Sequence, residues 1–280
     1  MEMTNLVTSP FGIGEQLILE LLKRGESVYA VFPSPKGVPM SFLGKTKLKN
    51  GFIKLDQEMH IEKALPRKIE HVYHIFEAYS GPFTRIHRAN PCATLQLLEW
   101  ARKVNAATFI YVSSGDVYGR GDLIKENATF NPRGFYATTK YEAELLLRFF
   151  AKSFTIITAR VFFPFGKNVD EGYIKELHDH IKSGDKVETE YRAISPTFVN
   201  DVAKPLIRAR EAKRNEIFNI CGSAVPVEDL IDKIKNVCAG SPKQTSVGDV
   251  TLTGDSSKAK SSFGYTETAL DQALESSFSV

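Results

Sequence analysis

Tryptophan is all but missing from this 280-residue chain, with one residue, and cysteine is scarce, with three. Cys92, Cys221 and Cys238 are odd in number, far apart and form no C-x-x-C pair. That argues against a disulfide framework and against a zinc site, and for reduced thiols. No apolar run approaches the roughly 18 residues of a membrane span, and the opening residues lack a signal-peptide pattern. The expectation is a cytoplasmic protein with no membrane partner. Neither sign of charge dominates: 36 Lys and Arg against 33 Asp and Glu leave +3. With no basic run carrying interleaved aromatics, a nucleic-acid partner is not expected. Nor is a metal, because the six histidines show no ligand-like grouping; His178 and His180 are two apart and would face different sides of a helix. What remains is ordinary globular material, 42% hydrophobic and 25% charged, enough for a sizeable core.

Short apolar runs alternate with helical patterns over the first 165 or so residues. Asn5-Leu6-Val7, Ser27 to Phe32, Gly51 to Leu55, His71 to Phe76, Thr108 to Val112 and Phe154 to Arg160 read as strands. Gly14 to Arg24, Pro91 to Val104 and Tyr136 to Phe150 carry helical periodicity. Strands alternating with helices predict βαβ units, hence a doubly wound parallel sheet of Rossmann type in an α/β fold. After Pro164 the pattern loosens. Helices are expected over Tyr173 to Ser183 and Val227 to Val237, with a strand over Asn215 to Cys221. The expected division is 1–166 for the Rossmann part and 167–280 for a smaller region, partly interleaved with the main sheet.

Two stretches carry chemistry. The first is Y-V-S-S-G-D-V-Y-G, Tyr111 to Gly119, and the second is F-Y-A-T-T-K-Y-E-A-E, Phe135 to Glu144. Tyr136 and Lys140 are four apart and share a helix face. A phenol with pKa near 10 is a poor base at neutral pH, and an ammonium within about 4–6 Å favours its phenolate. A nearby serine hydroxyl would hold a substrate oxygen while the tyrosine takes or returns its proton. The spacing alone is weak, since a tyrosine and a lysine so placed are often no more than a contact on a helix surface. Its context, a serine pair ending a buried strand upstream and a strand ending in Arg160 downstream, is what points to a site.

At these residues the sequence resembles the extended short-chain dehydrogenase/reductases, the NAD(P)-dependent epimerase/dehydratase group. Leu55-Asp56, Tyr73-His74-Ile75, Asn90 with Thr94, Ala159-Arg160, Phe198-Val-Asn-Asp-Val202 and Phe218-Asn-Ile add to the two stretches. The resemblance implies catalytic roles for Ser114, Tyr136 and Lys140. It implies NAD or NADP as cofactor, held by the loop Thr8, Ser9, Phe11, Gly12, Ile13 and Gly14, by Asp56 and Asn90, and by Tyr136 and Lys140. It implies a small-molecule substrate, sugar-like or another secondary alcohol, a pocket supplied by the region after residue 166, and a homodimer through the helices at 91–104 and 136–150.

Several positions depart from that pattern. The loop T-S-P-F-G-I-G, Thr8 to Gly14, is one residue short and has Ser9 at the first glycine position. A side chain near the second glycine position obstructs a pyrophosphate unless the loop takes another path, although a helix N-terminus still attracts phosphate. Gly12 and Gly14 could equally be glycines that simply open a helix. The second strand ends in Phe32-Pro33 with no acidic residue for a ribose hydroxyl, and Lys36 is a thin candidate for a 2′-phosphate. Phe76-Glu77 replaces a small pair beside the nicotinamide track, unless Glu77 is an exposed turn charge. Phe163 stands where an asparagine is usual, and Ile194 and Ser195 where nucleotide-sugar enzymes often have an arginine; Arg192 is close. Gly115-Asp116 keeps one carboxylate of a dehydratase pair. Ser114 has a plain alternative as a strand-end cap, Asp116 as a turn residue and His74 as a core histidine. Two functions follow: hydride transfer with Tyr136 as acid/base, in an epimerase or oxidoreductase, or a catalytically impaired scaffold that binds or regulates.

Overall fold

The structure, a computed structural model, describes residues 4–34, 37–58 and 60–279. Its strands in chain order are β1 (Asn5–Thr8), β2 (Val28–Phe32), β3 (Leu48–Phe52), β4 (His71–His74), β5 (Thr108–Ser114), β6 (Gly121–Ile124), β7 (Thr155–Val161), β8 (Pro164–Phe165), β9 (Val187–Ile194), β10 (Thr197–Phe198), β11 (Glu216–Ile220), β12 (Val225–Pro226) and β13 (Thr245–Gly254). The helices are α1 (Ile13–Lys23), α2 (Phe83–His87), α3 (Ala93–Lys103), α4 (Gly134–Arg148), α5 (Tyr173–Ser183), α6 (Ala203–Ala209), α7 (Val227–Cys238), α8 (Ser257–Phe263) and α9 (Leu270–Phe278).

Seven strands form one sheet in the order β11-β7-β5-β4-β1-β2-β3, and every neighbouring pair is parallel. A parallel sheet is covered on both faces, and every residue of β1, β2 and β5 is accordingly buried. Leu17, Ile18 and Leu21 of α1 pack one face together with Leu206 and Ile207 of α6. Leu97, Leu98 and Trp100 of α3, with Ala143 and Leu147 of α4, pack the other. From β1 the chain winds out through β2 to β3, then returns to β4 on the other side of β1. That reversal opens a crevice at the carboxyl ends of β1 and β4, where ligands of such sheets bind.

The expected Rossmann sheet is therefore present. Its third strand lies at 48–52 instead of 51–55, because this edge strand, Leu-Lys-Asn-Gly-Phe, buries only Gly51 and has no apolar run to reveal it. The helix expected from Pro91 is continuous with α2 through a wide π turn, Arg88–Cys92, that holds Pro91; a missing N–H is tolerated in such a turn. A second sheet, β12-β9-β13-β6, was not foreseen in the sequence. It covers a third core with α5, α7 and α9, built on Ile174, Leu177, Leu230 and Leu274 among others.

One buried ion pair ties β7 to α4. Arg160, 1% exposed, donates from Nε to Glu144 Oε1 at 3.0 Å and from Nη2 to Oε2 at 2.7 Å. Its Nη1 donates to Tyr118 Oη at 2.6 Å, and its guanidinium lies over the Tyr118 and Phe130 rings. The Ser113 hydroxyl donates to Glu144 Oε1 at 2.6 Å. Removing one partner of such a pair leaves a buried charge uncompensated. We expect Glu144→Ala to lose about 3–5 kcal/mol of unfolding free energy, measured by urea denaturation; a loss near zero would refute this account of the pair.

Candidate active site

The floor of the crevice is a hydrogen-bond chain with only one consistent proton order. Thr8 Oγ1, at the end of β1, accepts from the Ile75 and Phe76 amides, both at 2.9 Å. Its own proton therefore goes to His74 Nδ1, 3.1 Å away. His74 Nε2 then carries the ring proton and donates to Thr94 Oγ1 at 2.8 Å, and Thr94 donates on to Asn90 O at 2.6 Å. Burial, reinforced by the Lys140 charge, pulls the His74 pKa down to about 3, so the ring stays neutral, as suits a core histidine. Asn90 Oδ1 accepts from Ala78 N at 3.0 Å, while Nδ2 donates to Ala78 O at 3.2 Å and to Thr139 Oγ1 at 2.9 Å. Thr139 donates to Tyr136 O at 2.8 Å, so the chain reaches α4. The side chains of Thr8 and Asn90, both assigned to a cofactor by resemblance, face this chain.

Above it lies the shortened loop. Gly14 packs so tightly that a Cβ there would stand 2.0 Å from Ser9 O, the close helix–strand approach that demands glycine. Ser9 and Gly12 have φ of 55° and 50°. The first is unfavourable for a side-chain-bearing residue, and it stands where the family pattern has glycine. Phe11 sets its ring edge-on to Phe32 at 5.9 Å, which is how the short loop houses its bulk. Glu15, in the first turn of α1 and 6% exposed, accepts from Ser41 Oγ and Asn168 Nδ2, each at 2.6 Å. Asp56 sits 3.7 Å from Arg85 Nε. Lys36 lies outside the described residues.

Ser114, Tyr136 and Lys140 do converge. β5 delivers Ser114 at its carboxyl end, and the first turns of α4 deliver the other two. A fourth group stands among them. Glu77 Oε2 accepts from Tyr136 Oη at 2.9 Å and lies 2.8 Å from Lys140 Nζ. Lys140, 1% exposed, also donates to Val112 O at 2.9 Å and lies over the Tyr111 ring. The phenol pKa, expected to be lowered, is raised instead. Burial first, then the Glu77 and Asp116 charges, raise Tyr136 well above 10. Burial works against the charged ammonium, but Glu77 and Tyr111 more than compensate and Lys140 is raised. The ammonium answers the carboxylate, so the phenol gains little from it.

Ser114 donates to Asp116 Oδ2 at 2.8 Å and accepts from Asp116 N at 3.1 Å, which also makes it a strand-end cap. Phe163, with φ of 41°, is packed edge-on by Tyr173 and Tyr191 at 5.4 and 5.1 Å. Arg192 is exposed and donates to Thr251 Oγ1 at 3.1 Å. The region after residue 166, expected to supply the pocket, does so through the segment 166–172, none of whose residues the sequence singled out. Glu171 accepts from Tyr79 N and Ser80 N at 3.2 and 3.4 Å and from Arg85 at 3.3 Å. A Cβ on Gly12 would be 2.9 Å from Val169 Cγ2. The crevice left between Ser9, Gly12, Glu77, Tyr79, Val169 and Glu171 is about 190 Å³, below the roughly 300–1,000 Å³ of common ligand clefts. The close approach at Gly14 and the first turn of α1 fit the pyrophosphate of a dinucleotide, while the Glu77 carboxylate occupies the Tyr136 and Lys140 donors.

Fold and site together define a Rossmann-type α/β protein with a serine, a tyrosine and a lysine gathered at the carboxyl edge of its sheet. The pattern of the NAD dependent epimerase/dehydratase family matches residues 12–221, and the chain belongs to that family. It is 29% identical over 243 residues to an uncharacterised protein of Methanocaldococcus jannaschii, covering 76% of this chain and 73% of that protein. It is 29% identical over 196 residues to UDP-glucose 4-epimerase of Haemophilus influenzae, covering 62% of this chain and 56% of the enzyme. The structure of MoeE5 in complex with UDP-glucuronic acid and NAD superposes with a TM-score of 0.82 at 25% identity, over 98% of this chain and 97% of that one. Among the described residues no helix is long and apolar enough to cross a membrane.

Asp116 gives this site a pH signature. Burial first, then the Glu77 and Glu190 carboxylates, push its pKa from 3.8 to about 6, against the Ser114 hydrogen bond. Between those values the folded protein keeps a proton that the unfolded chain has lost, so stability falls as pH rises through the window. Asp116→Asn should flatten that slope, by at most about 3 kcal/mol. Parallel unfolding curves of both proteins from pH 4 to pH 7 would contradict it.

Proposed function

We propose that this protein is an NAD(P)-dependent epimerase or oxidoreductase that acts on a sugar-like or other secondary alcohol. The observation that carries the reading is the convergence of Ser114, Tyr136 and Lys140 at the carboxyl edge of the sheet, beside the β1–β4 reversal. The sugar class is supported by the relatives, whose names speak of UDP-glucose and UDP-glucuronic acid. Against a diphosphate stand Arg192, engaged by Thr251, and the uncharged positions Ile194 and Ser195.

When bound, the nicotinamide supplies the hydride acceptor or donor. The loop from Thr8 to Gly14 and the start of α1 would hold its pyrophosphate, and Lys140 its ribose hydroxyls. Ser114 would orient the substrate oxygen by turning its hydroxyl from Asp116. Tyr136 would hold or move the proton at that oxygen. With Glu77 turned away, Lys140 is free to favour the phenolate as the sequence argument requires.

The second reading, a binding or regulatory scaffold without turnover, is favoured by one observation, the Glu77 carboxylate between phenol and ammonium. Thermal unfolding with NAD+, NADH, NADP+ and NADPH separates the two. A dinucleotide at 100 times its dissociation constant should add about 2.7 kcal/mol, and Tyr136→Phe should abolish turnover while keeping that gain. No gain with any of the four, in this chain or in Glu77→Ala, rejects the enzyme.

A further inference from the structure

The backbone around Glu77 is fixed on both sides by side chains. Thr8 holds the amides of Ile75 and Phe76, Asn90 holds both polar atoms of Ala78, and Glu171 holds the amides of Tyr79 and Ser80. No helix or strand runs through this stretch. The clamps present Glu77 to α4 in one place, and only its own side-chain torsions remain free. That side chain is 32% exposed, whereas the Lys140 it meets is 1% exposed. The carboxylate can thus turn to solvent without disturbing the chain around it.

One oxygen, Oε2, meets both the Tyr136 hydroxyl and the Lys140 ammonium. Two convergent donors around a single oxygen form a receptor for a ligand oxygen. Here the chain itself supplies that oxygen. A tethered group competes at an effective concentration of millimolar or more, so it lowers the apparent affinity of any ligand that needs the same donors by the fraction of time it is absent.

We propose that Glu77 is an internal occupant of the oxygen position between Tyr136 and Lys140, which holds the site closed to a dinucleotide until its side chain is displaced. This rests on the hydride-transfer reading above. Glu77 is a positioning residue: it sets whether the phenol and ammonium are available and takes no part in bond making. The same contact adds to the rise of the phenol that burial begins, since a carboxylate accepts its proton.

The test compares the full chain with Glu77→Ala and with Glu77→Gln, which keeps the length and loses the charge. Two readouts are taken: NADH affinity by nicotinamide fluorescence, and the Tyr136 phenol titration by near-ultraviolet difference absorbance against Tyr136→Phe. The expected result is affinity tighter by about tenfold or more in Glu77→Ala, with the phenol titrating at lower pH in both variants. Equal or weaker affinity in the variants, or a phenol that does not move, overturns the occupant. A phenol that moves while no variant binds a dinucleotide supports the occupant and overturns the hydride reading instead. If Glu77→Ala does not fold, because Lys140 loses its buried partner, Glu77→Gln carries both readouts.

Discussion

The crevice depends on one hydroxyl. Thr8 Oγ1 receives two successive backbone amides from the start of the 75–82 segment, and so dictates where its proton goes. That choice fixes the His74 tautomer, and the tautomer makes Thr94 an acceptor there and a donor toward Asn90. A buried, neutral imidazole is a good relay for such an order, because any other arrangement leaves a polar atom unsatisfied where water cannot reach it. The result is a rigid joint among β1, β4, α3 and, through Asn90 and Thr139, α4.

Rigidity at the joint explains why a carboxylate can be held between Tyr136 and Lys140 at all. An exposed glutamate loses side-chain entropy when it docks, and a surface ion pair seldom repays that loss. Glu77 docks from a fixed backbone onto a half-buried phenol and a buried, charged ammonium. A lysine 1% exposed needs a countercharge more than a surface lysine does. The contact is thus favoured from the lysine's side as much as from the glutamate's.

How far the sequence revealed this follows from where each signal resides. β1, β2, β4, β5 and β7 are short apolar runs with helices between them, and their residues announce a parallel sheet. β9 and β13 do not. β9 alternates between half-buried and exposed residues such as Glu188, Glu190 and Arg192, and β13 pairs with it through register shifts at Val247 and Val250. Its Gly248 comes so close to the Glu190 backbone that a Cβ would be 2.3 Å from the carbonyl oxygen, a contact no periodicity exposes. The Tyr136–Lys140 pair was legible because it lies within one helix. The Glu77 contact spans 59 residues, and only its oddity beside Phe76 hinted at it. Glu15 and Glu171 gave no hint, because their partners lie 153 and 92 residues away.

The site holds three acidic or potentially acidic groups, the Tyr136 phenol and the Glu77 and Asp116 carboxyls, around one ammonium. Lys140 can stabilise one anion fully, and the carboxylate is the easier anion to form at neutral pH because its intrinsic pKa lies several units below that of a phenol. While Glu77 is in place the phenol stays protonated, and Asp116, pushed up to about 6 by burial first, also feels the Glu77 charge. Moving Glu77 out removes one raising charge from both groups at once and leaves the effect of burial. The ammonium then faces the phenol, and Asp116 loses a negative neighbour. A single side-chain rotation thus shifts the balance of charge at two groups, without any change in the backbone that positions them.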